Sequence, residues 1–149
     1  MLAVGEVIPD FVMTDADGGP IERADLAGRW TLWFWFPKSN TPGCTAQATG
    51  LRDQAEAFAD LDCQIIGASF DPTWMLRTFR DEHSLPFILV SDDTREVAVS
   101  VGAAADEDAP TPRRIAYLID ADLIVRVVYI VDNPEFFAEG VLDDLDEFT

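Results

Sequence analysis

The chain has 149 residues, 48% hydrophobic and 11% aromatic, enough for one domain with a real core and too apolar for a disordered polypeptide. Its 28 acidic and 10 basic residues give a formal net charge of -18, a field that repels phosphate backbones and anionic lipid and argues against nucleic acid and membrane partners. No apolar run approaches the roughly 20 residues of a membrane span and no leader of signal-peptide pattern opens the chain, so a soluble, cytoplasmic protein is expected. The acidic residues are dispersed, which reads as a solvated surface. With Lys38 the sole lysine, the composition also resembles that of proteins from salt-loving organisms, where self-repulsion is screened.

In chain order, FVMTD and PIERA flank the turn-rich DADGG of residues 15–19 and predict a short hairpin. RWTLWFWF, residues 29–36, is an almost unbroken apolar run that fits a strand covered on both faces, stopped by Pro37. From Cys44 to about Asp60, Ala48, Leu51, Ala55 and Phe58 recur at helical spacing, with Thr41 and Pro42 as start signals. CQIIGASF predicts a second buried strand, TWMLRTFRDEHS a helix, LPFILVSD a short extended passage, and TREVAVSVG a short helix closed by Gly102. Residues 103–113 have the composition of a loop and read as a flexible insertion. RIAYLID and LIVRVVYIV predict a hairpin, and a last helix from about Pro134 aligns Phe137, Val141, Leu145 and Phe148 on one side. This order implies a single α/β domain with a mixed sheet and helices on both faces, its chemistry beyond the carboxyl ends of parallel strands.

PKSNTPGCT, residues 37–45, leaves such an end and opens a helix. A helix start carries unpaired N–H groups and partial positive charge, so at Cys44 a thiolate is favoured over a thiol. Gly43 lets the backbone approach whatever the sulfur attacks. The other cysteine, Cys63, lies beyond the far end of the predicted helix, roughly 24 Å away at 1.5 Å per residue, out of reach of a disulfide. Two isolated cysteines make neither a disulfide framework nor a zinc site.

FWFPKSNTPGCT resembles the active-site segment of the peroxiredoxins, and of the peroxiredoxin Q or bacterioferritin comigratory protein subfamily in particular. GASFDPTWMLRTFRDEHSLPFILVSD and RRIAYLID follow in the family's order, so the resemblance covers nearly the whole chain. It implies a thioredoxin-like fold with an N-terminal β-hairpin extension, no cofactor, and a hydroperoxide substrate. Residue by residue, it makes Cys44 the peroxidatic nucleophile and gives Thr41 a hydroxyl directed to the thiolate or peroxide, beside its ordinary role as a helix cap. It makes Pro37 a shield against water and Arg114, with Arg113 as runner-up, the guanidinium that meets the departing oxygen.

The chain departs from that pattern where many subfamily members carry a second cysteine five residues on. Thr49 stands there, which implies a one-cysteine cycle completed by an external thiol, either a small molecule or a thioredoxin-like protein, in a monomer or homodimer. Gln47 replaces the usual glutamate and Ala116 a common threonine. His83, the sole histidine, reads as a capping or surface residue. A dithiol oxidoreductase would need Cys-x-x-Cys where the chain has Thr41-Pro42-Gly43-Cys44. A non-catalytic redox sensor or interaction module on the same fold, in which oxidation of Cys44 is read by a partner, is the remaining alternative.

Overall fold

The apolar runs become a seven-stranded sheet in the computed structural model, which describes residues 1–149. Its strands are β1 (Val12–Asp15), β2 (Pro20–Glu22), β3 (Trp30–Trp35), β4 (Cys63–Ser69), β5 (Ile88–Ser91), β6 (Ile115–Ile119) and β7 (Val125–Ile130). They lie in the order β2-β1-β5-β4-β3-β6-β7. β3, β4 and β5 are mutually parallel, while β6 and β7 on one flank and β1 and β2 on the other run antiparallel to their neighbours. The helices are α1 (Pro42–Asp53), α2 (Ala55–Asp60), α3 (Thr73–His83), α4 (Glu96–Ser100) and α5 (Phe137–Phe148). None is long and apolar enough to cross a membrane.

The period of two along β3 explains why every residue from Thr31 to Trp35 is buried. Leu32 and Phe34, followed by Phe36, enter a core shared with α1, α2, α3 and α5. Trp33 and Trp35 enter a second core under α4 and the N-terminal segment. Each such side chain, at 0–1% exposure, contributes about 1.5–3 kcal/mol by leaving water. The strand that delivers the chain to Pro37 is therefore packed on both faces.

Both predicted hairpins form: β1 pairs with β2 across the DADGG turn, and β6 with β7. The helix expected to run unbroken to about Asp60 instead divides at Gln54, whose φ of -106° and ψ of 9° leave the helical range. Its N–H turns to the Leu51 carbonyl at 3.2 Å, a tightened turn that ends α1 and swings α2 over the edge of the core. Residues 103–113 contain no helix or strand, as expected, yet the two ends of the segment are tied together. Ala103 and Ala104 are buried, and the Arg113 N–H donates to the Ala103 carbonyl at 2.7 Å. The last helix begins as a single 3-10 turn at Pro134–Phe136 that lies along α1 before α5 starts.

Candidate functional site

The chain leaves β3 at the carboxyl end of the three parallel strands and makes one compact turn before α1. Ser39 is buried in that turn. Its N–H and hydroxyl both donate to Asp71 Oδ2, at 2.8 and 2.7 Å. Asp71 follows β4, is itself buried, and accepts a third bond from the Ser69 hydroxyl at 3.0 Å. Three donors on one carboxylate oxygen make charge-assisted bonds that fasten the turn to the neighbouring strand. Asn40 then takes φ of 61°, the left-handed conformation that asparagine tolerates.

Thr41 is the N-cap of α1, but its side chain caps no helix N–H. Its hydroxyl donates instead to the Lys38 carbonyl at 2.7 Å, closing the turn. The cap half of its expected role is thus absent, because the proton is spent on Lys38 while the oxygen keeps its lone pairs for an incoming donor. The first intrahelical bond runs from the Thr45 N–H to the Thr41 carbonyl. The N–H groups of Gly43 and Cys44 precede it and lend the helix start its positive character.

Cys44 sits in this first turn with 1% of its surface exposed. Arg114, the residue before β6, brings Nη2 to 3.3 Å from the Cys44 sulfur and donates from Nη1 to Gln47 Oε1 at 2.8 Å. Arg114 is half-buried and held in register by the Val131 N–H, which donates to its carbonyl at 3.0 Å. Arg113 is exposed, and its guanidinium points toward the Gly102 carbonyl at 3.5 Å. Of the two arginines, Arg114 is the one that lies beside the sulfur. Gly43 leaves room for that approach, since a Cβ there would fall 3.0 Å from Arg114 Nη2.

Gln47 is fully buried, and its amide nitrogen has no partner. An amide therefore orients Arg114 without cancelling its charge, leaving the cation to face the sulfur. Ala116 lies buried in β6 and offers no hydroxyl to this network. Pro37 is partly covered at the mouth of the turn, and Lys38 is exposed.

Cys63 is remote from all of this. It pairs with Trp30 at the opening of β3, whereas Cys44 follows the end of that strand, and six residues at about 3.3 Å each lie between. Both thiols are free. Burial pushes the Cys63 thiol up to about 12, so it stays protonated and unreactive at neutral pH. A groove of about 520 Å³ lined by Arg29, Phe58, Cys63 and Phe87 opens at that same far end and has no side chain from the Cys44 site.

Asp71 lies in the short link between β4 and α3. Its bond to Ser39 spans 32 residues, a separation that no local motif records. His83, expected at a helix end, does end α3, and it also reaches the turn: Nε2 lies 2.9 Å from Asn40 Oδ1.

Three comparisons bear on this geometry. The model of the AhpC/TSA family matches residues 4–128. The chloroplastic peroxiredoxin Q of Suaeda salsa is 31% identical over 144 residues, 97% of this chain, which spans 66% of that protein's length. The chloroplastic peroxiredoxin Q of Sedum lineare is 31% identical over 94% of this chain and 74% of its own. Among solved structures, the peroxidoxin BcpB from Mycobacterium tuberculosis superposes with a TM-score of 0.93 at 26% identity, covering 100% of this chain and 99% of that one. The Xanthomonas campestris bacterioferritin comigratory protein, at 21% identity and a TM-score of 0.88 over 99% of both chains, shares the fold.

Proposed function

The chain belongs to the AhpC/TSA family, in its peroxiredoxin Q branch, and from that premise we propose that it is a thiol-dependent peroxidase with Cys44 as its nucleophile. The observation that carries the reading is the 3.3 Å contact between Arg114 Nη2 and the Cys44 sulfur at an uncapped helix start. The contact places a fixed donor beside the atom that reacts and beside the position where a leaving oxygen would gather charge, and it is the thiolate form of a cysteine that is nucleophilic.

The thiolate attacks one oxygen of R–O–O–H. A sulfur–oxygen bond forms as the oxygen–oxygen bond breaks, leaving Cys44–S–OH and an alkoxide that takes up a proton to become R–OH. Thr41 Oγ1, whose own proton is committed to Lys38, accepts the peroxide O–H and orients the molecule. Arg114 sits where the leaving oxygen gathers charge, a preorganised donor of the kind that lowers such barriers. Pro37 keeps bulk water from the turn.

The cycle is completed by an external thiol. The first thiol displaces water from the sulfenic acid to give a mixed disulfide, and a second releases Cys44 as the thiol. Thr49 offers no sulfur in the next turn of α1, and Cys63 opens β4 at the other end of the sheet.

Mass spectrometry of peroxide-treated protein with a sulfenic acid trap tests both halves. The adduct is expected on Cys44 alone, with turnover once a small thiol or a dithiol protein is added. An internal Cys44–Cys63 bond would overturn the one-cysteine cycle. Oxidation that never turns over with any thiol would make the chain a redox sensor instead.

A further inference from the structure

The sole histidine of the chain makes two contacts that its place at the end of α3 does not require. Its Nε2 lies 2.9 Å from Asn40 Oδ1, and its backbone carbonyl accepts from Arg52 Nη1 at 2.9 Å. Asn40 stands two residues before α1 and Arg52 in its last turn. One residue thus touches the approach to the Cys44 helix and its far end. The imidazole is steadied by an edge contact with Phe79, with ring centroids 5.3 Å apart.

The turn between β3 and α1 has two long-range side-chain ties. One is buried, from Ser39 to Asp71. The other, from Asn40 to His83, is at the surface. Beyond Ser39, Thr41 bonds only within the turn, to Lys38, so the Asn40–His83 contact is the last tie to the rest of the fold before the helix begins. Cys44 is 1% exposed, so with this segment seated its sulfur is closed to a reagent the size of iodoacetamide.

We infer that His83 is a positioning residue, holding Asn40 and the first turn of α1 seated so that the Cys44 sulfur stays enclosed beside Arg114. The inference rests on the peroxidase reading in that the enclosed sulfur is the one that meets peroxide. His83 touches no reacting atom. Asn40 Oδ1 can only accept, so the ring's Nε2–H is the donor of this tie.

The test is alkylation of the reduced protein by iodoacetamide at neutral pH, with both cysteines quantified by mass spectrometry and Cys63 as the internal control for global unfolding. In His83→Ala, and in Asn40→Gly, which keeps the left-handed backbone at no steric cost, Cys44 should alkylate about fivefold faster, the ratio that matches loss of a typical hydrogen bond. The rate at Cys63 should stay at the wild-type value. The double variant should show the same fivefold change and no more, and His83→Gln, which restores a donor at a similar reach, should return the wild-type rate. Unchanged Cys44 rates, additive effects in the double variant, or parallel rises at both cysteines would each overturn the inference. Should wild type prove inert to peroxide while the alkylation pattern appears as expected, the seating role stands and the peroxidase reading falls.

Discussion

Replacing Gly43 by alanine separates the chemistry of Cys44 from the stability of the fold. The new Cβ would lie 3.0 Å from Arg114 Nη2 and 3.8 Å from Pro134 Cγ, so the guanidinium must retreat by about 0.4 Å to reach ordinary contact near 3.4 Å. A retreat along the Nη2–sulfur line lengthens the present 3.3 Å separation. For unit charges in an effective dielectric of about 20, 0.4 Å along that line removes about 0.5 kcal/mol of attraction, a rate loss of roughly two- to threefold. Gly43 has no positive φ to protect, and alanine is the better helix former, by up to about 1 kcal/mol in a helix interior and less in a first turn. Stopped-flow mixing with hydrogen peroxide should therefore show the slowed oxidation while the melting temperature holds or rises. An unchanged rate in a variant whose structure shows Arg114 displaced would refute the electrostatic argument. A rate loss matched by a fall in melting temperature would mean that alanine had disturbed the helix instead.

Two further expectations concern the whole fold. Because burial holds the Cys63 thiol protonated up to about 12, its folded value lies above the unfolded one. The stability it contributes is complete below about pH 8.5, the range of a free thiol, and is lost as pH rises toward the folded value. Denaturant titrations of wild type should thus lose stability between pH 8.5 and 10, before tyrosines titrate in the unfolded chain, and Cys63→Val should flatten that slope; identical slopes would contradict it. The net charge of -18 predicts a melting temperature that rises between low and molar salt as self-repulsion is screened, and a temperature that does not rise would discount the resemblance to salt-adapted proteins.

Much of the site was legible because its parts are local. The apolar run before Pro37 could only be a covered strand, and Thr41 with Pro42 announces a helix that must begin beside Cys44. The helix then follows the strand within six residues, and the fold has little choice about where the sulfur goes. The choice between Arg113 and Arg114 is different, since adjacent residues entering a strand point to opposite faces. Only the register with Val131 fixes which guanidinium faces α1.

The contacts that sequence reading missed are those that join distant segments. Ser39 to Asp71 spans 32 residues and Asn40 to His83 spans 43, and the residue types involved are equally at home in ordinary turns and caps. Gln47 was visible as an unusual residue, but its pairing with Arg114 across 67 residues was not. The break at Gln54 also escaped, because neither glycine nor proline marks it. There the apolar spacing of Leu51, Ala55 and Phe58 persists through a turn that the backbone bonds divide.

The proposal turns on Arg114 Nη2, which meets the Cys44 sulfur at the start of α1, serving the reaction of that sulfur with peroxide. The direct measurement is the second-order rate of oxidation by hydrogen peroxide, followed through tryptophan fluorescence, in reduced wild type, Arg114→Met and Arg113→Ala. Wild type and Arg113→Ala should react far faster than free cysteine, and Arg114→Met should lose on the order of 100-fold, the usual cost of removing one preorganised donor. A wild type no faster than free cysteine, or an Arg114→Met variant equal to it, would contradict the account.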